Sequence, residues 1–81
     1  MNVAVRYFAA AAEASGCEEE RVELADGATV GQLATLLVQR YGEPMRVVLK
    51  SGSFLVEGVV RRDQAHPLSG TVDILPPFAG G

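Results

Sequence analysis

The chain begins with a strict alternation of side chains. Val3, Val5 and Tyr7 would share one face of an extended segment, and Arg6 and Phe8 the other. A period of two is typical of a β-strand, so the pattern predicts a strand over residues 3–8. We expect the face that carries Val3 and Val5 to be buried, which leaves Phe8 pointing outward.

The clearest helical pattern follows the turn signal Asp26-Gly27. Thr29 and Gln32 have the spacing of a capping box, in which each side chain bonds the other residue's backbone N–H. Apolar side chains then recur at helical spacing, at Val30, Leu33, Leu37 and Tyr41. Gly42 is expected to end the helix and Pro44 to prevent its continuation. A helix is therefore predicted for residues 30–41.

The remaining predicted elements are short. The alanine-rich stretch 9–15 predicts a helical turn, and further strands are predicted at 21–24, 46–50, 54–60 and 71–75. One main helix packed on one face of a mixed sheet is an α+β fold. A β-grasp arrangement satisfies this order if the first and last strands are adjacent at the centre of the sheet. The expected core comprises Val3, Val5, Leu33, Leu37, Val56, Val72 and Ile74.

Composition and charge narrow the function classes. Hydrophobic residues make up 48% of the 81 residues, which suits one globular domain. The formal charge of −3 disfavours nucleic acid as a partner and suits a protein with a basic surface. No apolar run is long enough for a membrane span, and residues 1–6 lack the pattern of a signal peptide. With a single cysteine, these features lead us to expect a cytoplasmic protein.

Most catalytic arrangements are missing from the sequence. The single histidine, His66, precedes a proline in a predicted turn, and the acidic run at 18–20 argues against Cys17 as an activated nucleophile. Two features remain open to a binding role. Arg61-Arg62 is either a solvated turn or a contact for an acidic partner. Phe8 is either an exposed anchor for a partner or an aromatic side chain covered by the alanine-rich turn.

The last six residues form a distinct segment after a predicted domain over 1–75. Pro76 and Pro77 lack backbone N–H groups, so they end the last strand and stiffen an extended exit. Extended residues 76–81 would reach about 20 Å. Phe78 offers an apolar contact, and the small residues that follow it, Ala79, Gly80 and Gly81, would fit a narrow channel.

This tail suggests chemistry at the Gly81 carboxylate. A carboxylate in water is a poor electrophile, but adenylation would convert it into a mixed anhydride with a good leaving group. Sulfide could then displace AMP and leave a thiocarboxylate. The tail needs no catalytic residue or stably bound cofactor of its own, because a partner enzyme would supply ATP and Mg²⁺.

Several motifs resemble one known family. They are Val5-Arg6-Tyr7-Phe8-Ala9, Ala28-Thr29-Val30, Leu55-Val56-Glu57-Gly58, Pro67-Leu68-Ser69-Gly70 and the tail from Leu75 to Gly81. Together they resemble the small sulfur carriers of the ubiquitin-like β-grasp class, and the double proline followed by Gly-Gly is most similar to the small subunits of molybdopterin synthase. That family often has Asn at the position of Glu57.

The resemblance implies a set of partners. An adenylating enzyme of the ubiquitin-activating type would activate Gly81, and a sulfurtransferase system would supply the sulfur. The large synthase subunit would then take up the tail, contacting Phe8 and Phe78, in a complex of two large and two small subunits. There the thiocarboxylate would give its sulfur to precursor Z during molybdenum cofactor biosynthesis.

Two other functions stay open. One is a sulfur carrier for thiamin, cysteine or tRNA thiolation, or a modifier joined to lysines. The other is a non-catalytic β-grasp interaction module in which the two final glycines have no chemical role. The tail separates the last possibility from the carriers, and Pro76-Pro77 favours the molybdopterin pathway over the other carriers.

Overall fold

The computed structural model describes residues 1–77. The elements in chain order are β1 (Asn2–Tyr7), α1 (Ala10–Ser15), β2 (Glu19–Glu23), α2 (Val30–Tyr41), α3 (Glu43–Ser51), β3 (Ser53–Val56), β4 (Val59–Val60) and β5 (Thr71–Leu75). Within these residues the five strands form one sheet in the order β2-β1-β5-β3-β4. β1 and β5 pair in parallel at its centre, and the other pairs are antiparallel. The predicted adjacency of the first and last strands is confirmed.

The core lies between one face of the sheet and the three helices. Every residue of the expected core is buried, and so are side chains that the pattern did not single out. The additional ones include Ala11 of α1, Met45 and Val48 of α3, and Phe54 of β3. Val3, Val5 and Tyr7 all point into this core, as the alternation predicts. The fold is therefore α+β and of the ubiquitin-like β-grasp class.

The start of α2 is fixed by the predicted capping box. The backbone N–H of Thr29 donates to Gln32 Oε1 at 2.9 Å, and the backbone N–H of Gln32 donates to Thr29 Oγ1 at 3.3 Å. The helix runs from Val30 to Tyr41 and buries Val30, Leu33 and Leu37 against the sheet. The helix prediction is confirmed at both ends.

The strand predicted at 46–50 is wrong, because Glu43–Ser51 forms helix α3. Gly42 has a φ of 78°, which turns the chain sharply after α2 and starts the next helix at once. Pro44 lies in the first turn of α3, where its missing N–H leaves no helical hydrogen bond unmade. Pro44 therefore helps to begin a helix, although its position in the sequence predicted only the end of one.

The predicted run 54–60 consists of two short strands joined at Glu57-Gly58. Glu57 has a φ of 49° and Gly58 a φ of 82°, so both residues of the turn are left-handed. Asn tolerates this conformation better than Glu, which agrees with the Asn that the sulfur carriers often have at the position of Glu57. Ser69 Oγ donates a hydrogen bond to the Glu57 carboxylate and fixes the side chain across the next loop.

No helix in the described part of the chain is long and apolar enough to cross a membrane.

Candidate functional site

The helices leave one face of the sheet open, and one row of side chains crosses it. Direct strand pairing places Glu19, Arg6, Asp73, Leu55 and Val60 next to one another in that order. The row has charged side chains on β2, β1 and β5 and apolar ones on β3 and β4. This open sheet face is the first candidate for a surface that binds another protein.

At its centre, Arg6 and Asp73 form a two-pronged ion pair. Arg6 Nε donates to Asp73 Oδ1 at 2.7 Å, and Arg6 Nη2 donates to Oδ2 at 2.9 Å. The Asp73 side chain is only 12% exposed, whereas that of Arg6 is 48% exposed. Hydrogen bonding and charge attraction by Asp73 raise the pKa of Arg6 above its usual value. The pair therefore presents its cationic partner at the surface and keeps the carboxylate beneath it.

Phe8 lies at the end of β1 and is exposed, so the interpretation of it as an outward-facing aromatic is confirmed. Its side chain is 40% exposed despite the neighbouring helix α1. The Arg6 guanidinium carbon lies 5.9 Å from the centre of the Phe8 ring, within cation–π range. An open hollow of about 440 Å³ runs beside the ring and is lined by Arg6, Ala12 and Glu18 among others. Such a ring and hollow can hold an apolar side chain of a partner.

β5 ends in this same region, and the tail begins there. The Phe8 backbone N–H donates to the carbonyl oxygen of Ile74 at 3.1 Å, and Leu75 pairs with Ser53 of β3. Pro76 is half-buried and Pro77 exposed, and neither has an N–H to continue the ladder. The chain therefore leaves the sheet between Phe8 and the start of β3.

Phe78, Ala79, Gly80 and Gly81 lie outside the described residues. The interface role expected of Phe78 and the chemical role expected of Gly81 stay predictions. Phe8, Pro76 and Pro77 are the predicted site residues whose positions the structure gives, and they lie together where β1 and β5 end.

Gly52 is a further residue of this region, and no pattern in the sequence singled it out. A Cβ atom at Gly52 would lie 2.2 Å from the carbonyl oxygen of Leu75 and 2.8 Å from that of Val48. The end of α3 thus passes directly against the backbone where the tail begins. No local sequence signal marks such a contact, because Gly52 and Leu75 are brought together by the pairing of β3 with β5.

Glu20 joins β1, β2 and α2 on the core side of the sheet. Tyr7 Oη donates to Glu20 Oε2 at 2.5 Å, Tyr41 Oη donates to the same oxygen, and Arg40 Nη1 donates to Oε1 at 3.1 Å. Burial alone would raise the pKa of Glu20, but these three donors outweigh it and hold the pKa below its usual value. Burial and the Glu20 carboxylate raise the pKa of both tyrosines. The cluster ties three elements together.

Metal-ligating side chains and the Cys17 thiol are the other candidate chemical groups in residues 1–77. In this part of the chain no group of three or more His, Cys, Asp or Glu side chains is arranged to hold a metal ion. Cys17 is half-buried, and its Sγ lies 3.8 Å from Ser15 Oγ. The described residues thus present an open sheet face beside the start of the tail.

Comparisons with known proteins give the chain its relatives. The model of the ThiS family matches residues 5–81. A search of the curated proteins by sequence finds no match.

Among solved structures, one similar fold is a Pyrococcus furiosus protein named as molybdopterin converting factor, subunit 1. It superposes with a TM-score of 0.82 at 28% identity, covering 96% of this chain and 99% of that chain. SAMP1 from Haloferax volcanii superposes with a TM-score of 0.80 at 24% identity over the full length of both chains. A chain from the complex of subunits 1 and 2 of molybdopterin-converting factor from Helicobacter pylori has a TM-score of 0.71 at 20% identity, and all of each chain is covered.

Proposed function

Because this chain belongs to the ThiS family and is a small ubiquitin-like sulfur carrier, we propose that it carries sulfur as a thiocarboxylate on Gly81. The observation that supports this assignment is that the family match continues through the tail to residue 81. The tail begins beside Phe8 on the open sheet face, where a partner bound to that face is well placed to receive it.

The chemistry proceeds in two steps on a partner enzyme. A Gly81 carboxylate oxygen attacks the α-phosphorus of ATP, which forms the acyl adenylate and releases pyrophosphate. Sulfide then attacks the carbonyl carbon, AMP leaves with the bonding electron pair, and the terminus becomes a thiocarboxylate. An adenylating enzyme of the ubiquitin-activating type supplies ATP and Mg²⁺, and a sulfurtransferase system supplies the sulfur. The carrier's own contribution is to bind the enzyme and to set the reach of its tail.

The proposed destination of the sulfur is precursor Z, with this chain as the small subunit of molybdopterin synthase. The Pro76-Pro77 tail and the likeness to a protein named as subunit 1 of molybdopterin converting factor favour this pathway. The partner in that step is a large synthase subunit that takes the tail into its active site, in a complex of two large and two small subunits.

Sulfur loading read by intact mass tests the carrier step. The full chain is incubated with the adenylating enzyme, ATP, Mg²⁺ and sulfide, and it should gain the mass of one oxygen-to-sulfur exchange. Deletion of Gly81 withdraws the carboxylate by about 3.5 Å. A displacement of even ~1 Å can cost on the order of a hundredfold in rate. Deletion of Gly81, or addition of one residue after it, should therefore abolish loading.

Cys17→Ser is the control that distinguishes sulfur bound at the Gly81 carboxylate from sulfur bound at Cys17, the only cysteine of the chain. This variant should load as well as the wild type, because the sulfur is bonded to the backbone terminus. Loading that survived deletion of Gly81 and vanished in Cys17→Ser would overturn the proposal.

The pathway needs a second measurement. The thiocarboxylate form is mixed with the large subunit and precursor Z, and the formation of molybdopterin is followed. Loading without any molybdopterin would leave the carrier chemistry in place and reject this destination. Conjugates joined through Gly81 to lysine side chains would indicate a modifier instead.

A further inference from the structure

The negative and positive charges of this acidic protein are concentrated in different parts of the chain. The chain has ten Asp and Glu and seven Lys and Arg residues, and six of the ten carboxylates lie between residues 13 and 26. That segment holds the end of α1 and all of β2, and β2 is one edge strand of the sheet. Lys50 lies in the last turn of α3, and Arg61 and Arg62 directly follow β4, the opposite edge strand. We call these three residues the basic cluster.

Within residues 1–77 the cluster makes no ion pair. The arginines that do form ion pairs with carboxylates there are Arg6, Arg40 and Arg46. All three cluster residues are exposed, so their charges face solvent. The structure therefore gives these cations no structural partner in the described part of the chain.

The cluster surrounds a small cavity that adjoins the start of the tail. Lys50, Arg61 and Arg62 line a hollow of about 180 Å³ together with Gly52 and Ser53. Ser53 pairs with Leu75, the last residue of β5, and Gly52 packs against the Leu75 carbonyl oxygen. The Arg61 backbone N–H donates to the carbonyl oxygen of Phe54 at 2.9 Å, which holds the arginine pair beside β3. Two residues thus touch both the cavity and the point where the chain leaves the sheet.

We propose that the basic cluster is a docking surface for an acidic patch on the enzyme that adenylates the tail. This inference rests on the proposed function, which requires the tail to enter another protein. Opposite charges at the two edges of the sheet would orient an approaching partner before contact, so that an acidic patch meets the edge beside the tail. Phe8 lies on the other side of the point where the tail leaves the sheet. A partner that contacted both Phe8 and the basic cluster would therefore hold the start of the tail between them.

Charge reversal at single positions tests the proposal. Lys50→Glu and Arg62→Glu are compared with Arg21→Glu, an exposed cation on β2 at the far edge. All three make the same change in net charge. Binding of each full chain to the organism's own adenylating enzyme is measured at low and high salt, with association and dissociation rates. Charges at the rim of an interface act mainly on the association rate and on its salt dependence.

The two cluster variants should bind about tenfold more weakly at low salt, mostly through slower association, and should approach the wild type at high salt. Arg21→Glu should change the dissociation constant by less than about twofold. Equal weakening in all three variants would mean that only the net charge of the protein matters. Unchanged binding in the cluster variants would show that the basic cluster does not contact the enzyme. Either result overturns the proposal. Saturable binding of inorganic phosphate to the isolated wild-type chain, with unchanged partner affinity in the cluster variants, would make the cavity an anion site instead.

Sulfur loading of the same proteins keeps the two proposals separate. If the wild type loads sulfur while charge reversal leaves binding unchanged, only the docking surface is rejected. If the wild type binds in a salt-dependent, cluster-dependent way but gains no sulfur, only the tail chemistry is rejected. If the wild type neither binds nor loads, both are rejected.

Discussion

Gly52 lies where the packing leaves no space for a methyl group. Its φ of −88° is allowed for any residue, so the need for glycine is a need for space beside the Leu75 carbonyl. Gly52→Ala must push β5 and α3 apart. We expect the free energy of unfolding to fall by about 3 kcal/mol, since inserting atoms into a packed contact costs ~1–3 kcal/mol and sometimes more. Urea denaturation of the two proteins measures the difference.

Gly16→Ala is the matched control for Gly52→Ala. Gly16 has a φ of 78°, but a Cβ atom there meets nothing within 4 Å. Its cost should be limited to backbone strain, about 1 kcal/mol. If Gly52→Ala lowered the free energy of unfolding no more than Gly16→Ala does, β5 and α3 would be able to move apart at Leu75 without an energetic cost.

The sequence predicted single residues well where the signal was local. The inward direction of Val5 and the outward direction of Phe8 follow from alternation over a few positions. The Arg6–Asp73 pair was not predicted, because its partners are 67 positions apart and meet only through the parallel pairing of β1 with β5. Gly52 was missed for the same reason.

At the scale of elements, the strongest predictions were those with two independent signals. Helix α2 had both a capping box and an apolar stripe over three turns, and its predicted bounds agree with the structure. The segment that forms α3 had a run of adjacent apolar residues, Val47, Val48 and Leu49, whose period is ambiguous. The structure buries Met45 and Val48, three positions apart, and leaves Val47 exposed. That spacing is helical and was hidden within the run.

The Glu20 cluster connects three elements and makes their assembly pH-dependent. Because folding lowers the pKa of Glu20, its stabilisation is fully present above the unfolded value, near 4.5, and is lost as the pH falls through the folded value. Glu20→Gln should lower the free energy of unfolding by about 1–2 kcal/mol at neutral pH, since it weakens hydrogen bonds to a charged group. The wild-type and variant stabilities should converge once the pH has fallen below the folded-state pKa of Glu20. Urea denaturation across this pH range measures both effects.

Glu18→Gln serves as the control for the acid dependence. Glu18 precedes the same strand and is exposed, and its side chain makes no ion pair with residues 1–77. Its replacement should change stability by less than about 0.5 kcal/mol at any pH. If the free energies of unfolding of the wild type and Glu20→Gln differed by the same amount at every acidic pH measured, the effect could not be assigned to ionisation of Glu20.

For the whole molecule, the two faces of the sheet differ in what covers them. One face is buried under three helices, and the other carries Phe8, the Arg6–Asp73 pair and the start of the tail. The apolar patterns predicted the first face because burial imposes a period on the sequence. The open face carries no such constraint, so its composition could be predicted only in part, from Phe8 and the terminal motif.

The separation of the two faces predicts that Phe8 can be removed without unfolding the protein. Phe8→Ala should weaken binding to the large synthase subunit by about 2 kcal/mol, as expected when a partly exposed aromatic anchor is truncated. The free energy of unfolding should fall by only about 1 kcal/mol, because the Phe8 ring is already 40% exposed. Phe78→Ala is expected to weaken binding similarly. Calorimetric titration gives the affinities, and urea denaturation gives the stabilities.

Val47→Ala is the matched control for the open face. Val47 is also an exposed apolar side chain, 54% accessible, but it lies on α3 and so on the helical side of the molecule. Its truncation should leave both the affinity and the stability within about 0.5 kcal/mol of the wild type. If Val47→Ala weakened binding and Phe8→Ala did not, the partner would bind the helical side. The tail would then have to pass around the edge of the sheet to reach it, and the open face would lose its assigned role.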